Sequence, residues 1–230
     1  MITLKDANLP LGISMIGLAM IGTPALADAQ IVSESRAELN SLGKQLVIGD
    51  LVFIRIPFQP FKKVATTTGS WTNHVGIVID VSSDEPLIAE SRFPLSGKTK
   101  WSRFIGRSEQ GRVAVSRLEN ALNQLQRDKL YKAANDRLGI FYDTGFDLHS
   151  RRQFCSRYVR EVLYEAIGIK LGQIENFSTL LTKNPQADLP FWRAWYFGYI
   201  PWQRETVTPA SLLLDPKIRK VFDGYVSKQA

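Results

Sequence analysis

Short, largely apolar stretches run from Leu51 to Ile56, Val75 to Asp80, Leu87 to Ser91 and Val113 to Leu118, with a period-two alternation in the second. Each predicts a β-strand, and the density of β-branched residues from Val75 to Asp80 predicts one buried on both faces. The period then changes. Residues 122–138 predict a helix, and after Phe154 a second helix places Val159, Val162, Leu163, Ala166 and Ile167 on one face before Gly168 stops it. Thr208-Pro209 reads as an N-cap followed by proline at the first helical position, opening a short helix through Leu214. This order predicts an α+β fold with a mostly antiparallel sheet packed against helices.

Two stretches depart from this pattern. Leu11 to Gly22 is nearly all apolar, Pro24 breaks it, and Ala25-Leu26-Ala27 offers the small residues of a cleavage site. The run is too short to span a bilayer comfortably. It therefore reads as a signal peptide over residues 1–27 of an exported, periplasmic or secreted protein, with a cytoplasmic chain as the alternative. Residues 28–48 then form a linker or N-terminal helix, and residues 49–230 the folded domain. Near the other end, seven of the twelve residues from Phe191 to Trp202 are aromatic, too many for a solvated loop. Such a tract packs as a cover over the sheet or beside a substrate cleft, or contacts a membrane interface.

Composition narrows the chemistry. The chain has 230 residues, 44% hydrophobic and 22% charged, which suits one ordinary core. Its net charge of +7 suits an anionic partner such as cell wall or an anionic membrane surface, but the basic residues are scattered. Pairs such as Lys62-Lys63 and Arg151-Arg152 form no tract, and no nucleic-acid motif accompanies them. One cysteine excludes an internal disulfide, and two histidines far apart give no zinc-ligand spacing. No phosphate loop or serine-nucleophile elbow is present, so no cofactor or metal is expected.

The single cysteine, Cys155, falls where an arginine-rich loop becomes a helix. A helix N-terminus and neighbouring arginines both favour thiolate, although a lone cysteine on an apolar stripe also serves as a small core residue. A thiolate needs a base. His74 opens a rigid strand, whereas His149 lies in a polar loop six residues before the cysteine, so His74 is the better candidate. Glu90 shares a strand face with Ile88. An acid there calls for a buried partner such as an imidazole, or else pairs at the strand end with Arg92 or another arginine.

In order, Gly49-Asp50-Leu51-Val52-Phe53, Asn73-His74-Val75-Gly76-Ile77, Ala89-Glu90-Ser91-Arg92, Thr144-Gly145-Phe146 and Phe154-Cys155-Ser156 resemble the YiiX/YebB-like cysteine hydrolases, an NlpC-type branch. Phe191-Trp192, Ile200-Pro201-Trp202 and Thr206 to Leu212 continue the resemblance, which leans to the YebB side. The N-terminal apolar stretch departs from that pattern, so localisation does not follow from it. The resemblance implies a circularly permuted papain-like fold, which accounts for His74 preceding Cys155 by 81 residues, since triad geometry tolerates different chain orders. It further implies Cys155 as nucleophile, His74 as base and Glu90 as the residue orienting His74. The Cys155 backbone N–H would serve the oxyanion, with Tyr142 or Gln153 as a second donor. Tyr142 also fits as a core tyrosine, and Gln153 as the partner of Ser150 in a capping box.

The implied activity is that of an amidase or peptidase, acting on cell-wall peptides if exported. The same three residues would also serve a lipid acyl hydrolase or acyltransferase, and a binding module could keep the scaffold without the chemistry. The leader makes its own prediction. Intact mass of protein from its native cells should show a chain beginning at Asp28 in the extracytoplasmic fraction; a soluble cytoplasmic chain retaining Met1 would contradict export.

Overall fold

The computed structural model describes residues 35–227; the leader and its cleavage point lie outside them. The chain runs β1 (Ser35–Glu38), α1 (Leu39–Gly43), β2 (Leu51–Ile54), α2 (Gln59–Thr67), β3 (His74–Asp80), β4 (Leu87–Glu90), β5 (Gly97–Lys100) and α3 (Trp101–Ile105). It continues with β6 (Arg112–Leu118), α4 (Gln124–Asp136), α5 (Cys155–Ile167), β7 (Ile174–Asn176), α6 (Phe177–Lys183), α7 (Leu189–Trp195), β8 (Glu205–Val207), α8 (Pro209–Leu213) and β9 (Ile218–Ser227). Seven strands form one sheet in the order β1-β9-β6-β2-β3-β4-β5, antiparallel except for the β1–β9 pair. A separate hairpin pairs β7 with β8.

The sheet is buried on both sides, and the alternation along each strand assigns its residues to two cores. Phe53, Val75, Ile77 and Ala89 pack against Leu130 of α4 and Tyr158, Val159, Val162 and Leu163 of α5. Val52, Ile54, Val78 and Ile88, of opposite parity, pack against Leu42 of α1 and Trp101 and Phe104 of α3. A third, smaller cluster joins Phe177 and Leu180 of α6 to Trp192 of α7 and Ile200.

Several boundaries move from those the sequence predicts, for local reasons. The strand expected to reach Ile56 ends at Ile54 because the Asn73 side chain takes over: Ile56 N donates to its Oδ1 at 2.8 Å and its Nδ2 donates to Ile56 O at 3.0 Å. The helix expected from Leu122 starts at Gln124, where Asn123 and Gln126 form a capping box. The folded unit also begins before Gly49. Ser35–Glu38 pair in parallel with Gly224–Ser227, and Leu42 and Leu46 enter the second core. The partner strand β9 was hidden because charged residues interrupt its pattern and its pairing shifts register between Val115 and Ser116.

Gly76 sits mid-strand against β4 and α3. A Cβ there would meet Ile88 Cγ2 at 2.5 Å and a Phe104 ring carbon at 2.9 Å. Gly76→Ala should therefore lower stability by about 1–3 kcal/mol, read as a shift in the urea unfolding midpoint; an unchanged midpoint would show that α3 does not press on β3 this tightly.

Candidate active site

Cys155 is the first residue of α5, and its N-cap, Phe154, is extended and offers no side-chain cap. The first-turn backbone N–H groups therefore have no side-chain acceptor, the condition in which a helix start favours an anion. The loop leading in is pinned to the end of β4. Gln153 O accepts from Ser91 Oγ at 2.9 Å and from Asp143 N at 2.9 Å, and Gln153 N donates to Phe141 O at 3.1 Å. Behind the cysteine, the buried Ser156 donates to Val207 O at 2.7 Å. Cys155 itself is 3% exposed.

His74 and Glu90 lie on the α3 side of the sheet, where the His74 ring packs on Phe104 with centroids 5.7 Å apart. Cys155 approaches from the other side, past the start of β3, where the Val75 and Ser156 backbone N–H groups help stabilise the sulfur as thiolate. His74 Nε2 bonds Glu90 Oε2 at 2.5 Å. That commits one ring nitrogen and leaves Nδ1, buried without a hydrogen-bond partner, as the one available to Cys155.

Glu90 is fully buried and held by three further contacts. Arg107 Nη2 reaches its two oxygens at 2.7 and 2.8 Å, Thr99 Oγ1 donates at 2.6 Å, and Arg92 stands 3.8 Å away. The two readings of Glu90, imidazole partner and arginine partner, are thus both realised. Arg107 and Thr99 were not legible. Arg107 lies in the turn after α3, and Thr99 sits between two lysines in a strand too short and polar to stand out.

Burial opposes every charge in this group, and the partners decide the outcome. For Glu90, burial raises the pKa, but the His74 bond and charge, Arg107 and Thr99 bring it down to about 2. For His74, burial lowers the pKa, but Cys155 first and then Glu90 outweigh it and raise it above its ordinary value. For Cys155, burial is outweighed by His74 and the two backbone N–H groups, and the thiol pKa falls. Both shifts run in the direction that a thiolate–imidazolium pair would produce. The arginines expected to activate the thiol do not: Arg151 and Arg152 are exposed, and Arg157 is spent on Glu161 and on the carbonyls of Ser150 and Arg152.

Tyr142 is buried beside Cys155 with its hydroxyl unpartnered. Burial and then the Cys155 charge hold the phenol well above its usual pKa of 10, so it stays a donor. Gln153 does not join this group. Its Nε2 donates to Arg137 O at 2.7 Å, and it forms no capping box with Ser150, whose Oγ instead accepts from Arg152 N. His149 is exposed and pairs with Glu205 at 2.8 Å.

A narrow cleft, partly open to solvent, extends from Cys155 and Tyr142 between Phe146, Trp192, Phe177 and Leu180. The aromatic tract supplies one wall. Trp192 donates to Thr67 Oγ1 at 2.8 Å and stacks on Tyr196 at 6.1 Å, and Tyr196 donates to Gly145 O at 3.1 Å. The tract does not pack inward throughout, since Phe197 is 99% and Tyr199 74% exposed. Phe146 holds a left-handed backbone, φ 52°, and meets Tyr142, Phe154 and Trp192 edge to face, a strained residue where a site is being shaped.

An antiparallel sheet carrying a histidine and a glutamate beside a helix that opens on a cysteine is the arrangement of a permuted papain-like hydrolase. Residues 45–222 match the permuted papain-like amidase enzymes YaeF/YiiX, the C92 family, and the chain belongs to that family. An uncharacterized protein of Escherichia coli K12, YiiX, is 26% identical over 173 residues, covering 75% of this chain and 84% of that protein. The crystal structure of YiiX from Escherichia coli O157:H7, described as a metalloprotein, superposes with a TM-score of 0.73 at 25% identity, covering 79% of this chain and 99% of that one. The expected family resemblance stands; its leaning to YebB rests on the motifs alone.

Glu90 predicts an acid signature. Its stabilising contribution is complete above the unfolded value near 4.5 and is lost as pH falls toward about 2. Between those limits, wild type should lose more stability in denaturant titrations than Glu90→Gln. Parallel pH dependences would show that Glu90 is not held ionised.

Proposed function

We propose that the protein is a cysteine amidase in which Cys155 is the nucleophile, His74 the proton carrier and Glu90 the residue that orients His74. The observation that carries this reading is the shared pKa pattern of Cys155 and His74, with Nε2 tied to Glu90 and Nδ1 left for the thiol. A merely structural cysteine in an apolar core would have its thiol pushed up. Membership of an amidase family supports hydrolysis of amides as the reaction class.

The Cys155 thiolate attacks the amide carbonyl carbon, and the carbonyl oxygen becomes an oxyanion. The Cys155 backbone N–H and the protonated Tyr142 hydroxyl are the donors nearest to it. The imidazolium proton of His74 passes to the leaving nitrogen, the C–N bond breaks, and a thioester remains on Cys155. Neutral His74 then takes a proton from water, hydroxide adds to the thioester, and the acid leaves as the thiolate and imidazolium are restored. Glu90 stays ionised throughout, keeping the ring in one tautomer and favouring its charged form.

No metal enters this sequence. The metal implied by the description of the YiiX relative finds no suitable donor set here: among the described residues no three His, Cys, Asp or Glu side chains gather as ligands, and His74 Nε2 is committed to Glu90. A binding module would have no use for a buried acid–imidazole–thiol chain. Peptides, including those of cell wall if the chain is exported, are the natural first substrates for an amidase.

Intact-mass measurement with activated acyl esters should show one acyl group on Cys155, absent in Cys155→Ala. His74→Ala should slow acylation by about 10²–10⁴-fold, Glu90→Gln less, and His149→Ala hardly at all. A large loss in His149→Ala with His74→Ala still active would reverse the assignment of the base.

A further inference from the structure

The last turn of α7 closes in an uncommon way. Gly198 N donates to Arg193 O at 2.7 Å and Phe197 N donates to Ala194 O at 3.2 Å, the paired bonds that finish a helix through a left-handed residue. Glycine usually takes that left-handed position, because it has no Cβ to clash. Here Phe197 takes it, at φ 53°, and Gly198 stands one residue later. The ring gains nothing from the fold in return, since Phe197 is almost fully exposed. The turn is nevertheless tied to the body of the protein: Trp195 Nε1 donates to Thr144 O at 3.0 Å and the Tyr196 hydroxyl to Gly145 O at 3.1 Å. A strained backbone that presents a large apolar ring to solvent, with no packing to offset the strain, points to a contact outside the chain.

The surroundings specify the chemistry of that contact. Phe197 borders one open depression with Trp195, Tyr199, Pro201 and Arg204, and Tyr199 is also largely exposed. Residues 189–204 carry two arginines, Arg193 and Arg204, and no acidic residue. Arg193 is exposed in the last turn of α7. Arg204 donates to Gly145 O at 3.0 Å, and the Asp147 carboxylate stands 3.9 Å from its Nε. Asp188, just before α7, is taken by Lys63 at 2.6 Å. Apolar and amphipathic rings flanked by cations match a bilayer surface, where rings enter at the headgroup level and guanidinium groups meet phosphate. The net charge of +7 draws the chain to the same surface. We propose that the segment from Arg193 to Arg204 is a docking surface for an anionic lipid bilayer, with Phe197 and Tyr199 entering the interface and the two arginines contacting lipid phosphates. This stands apart from the amidase reading, because docking needs none of Cys155, His74 or Glu90.

The test is backbone hydrogen exchange of the full chain with vesicles of phosphatidylcholine alone and of phosphatidylcholine mixed with phosphatidylglycerol. Residues 193–204 should gain protection on the anionic vesicles, and less on the neutral ones or in high salt. Because the readout is local, adhesion through the apolar stretch near the N-terminus cannot imitate it. Phe197→Ser combined with Tyr199→Ser should raise the vesicle concentration needed for protection by roughly tenfold or more, since both rings leave the interface. Phe197→Gly should also weaken protection while raising the urea unfolding midpoint, because glycine relieves the left-handed strain. Protection absent from 193–204, equal on both kinds of vesicle, or dependent on protein concentration without vesicles, as in a contact between copies, would overturn the proposal. So would a lower midpoint in Phe197→Gly, which would make Phe197 a structural residue.

Discussion

A carboxylate with no solvent exposure organises this site. Burying an ion unpaired costs several kcal/mol or more, so Glu90 can exist where it is only if neighbours satisfy it. They do so from three directions: His74 on β3, Thr99 on β5 and Arg107 in the turn after α3. The adjacent strands and the turn are thereby fixed relative to one another by a charge that tolerates little displacement. The imidazole inherits its orientation from that arrangement. Its Nε2 has one acceptor, its face lies on Phe104, and its Nδ1 is buried without a hydrogen-bond partner.

The second constraint is the attachment of the cysteine loop to the same strand that carries Glu90. Ser91, the residue after Glu90, bonds the carbonyl of Gln153, two residues before Cys155. His74 and Cys155 are therefore both positioned from the end of β4, although they lie 81 residues apart in the chain. Around this polar centre the surroundings are apolar, with Phe146, Trp192 and Phe177 forming a wall whose own polar atoms are bonded internally. Low polarity strengthens any attraction between a charged Cys155 and a charged His74.

Much of this was legible where local pattern and tertiary role coincide. Apolar stretches located β3 and β6 to within a residue, Gly168 marked the end of α5, and the face shared by Glu90 and Ile88 signalled a buried acid needing a partner. What escaped detection depended on contacts between distant segments. Arg107 carries no local sign that it will meet Glu90, β9 is recognisable only by its pairing with β6, and β1 only by its pairing with β9. Gln153 was a candidate oxyanion donor beside Tyr142, but its amide is drawn to the Arg137 carbonyl at the end of α4. The arginines misled for a related reason: proximity in sequence placed them near the thiol, while solvent and backbone carbonyls claimed their charges.

The central claim is that His74 holds Cys155 as a thiolate inside an apolar site. The most direct measurement is the pH dependence of iodoacetamide labelling at Cys155 in wild type and His74→Ala, with folding monitored by circular dichroism. Wild type should react as a thiolate well below the free-thiol pKa of about 8.5, and His74→Ala should move the labelling midpoint above it, as burial alone dictates. Coincident midpoints in the two proteins would contradict the ion pair and return Cys155 to the role of a small core residue.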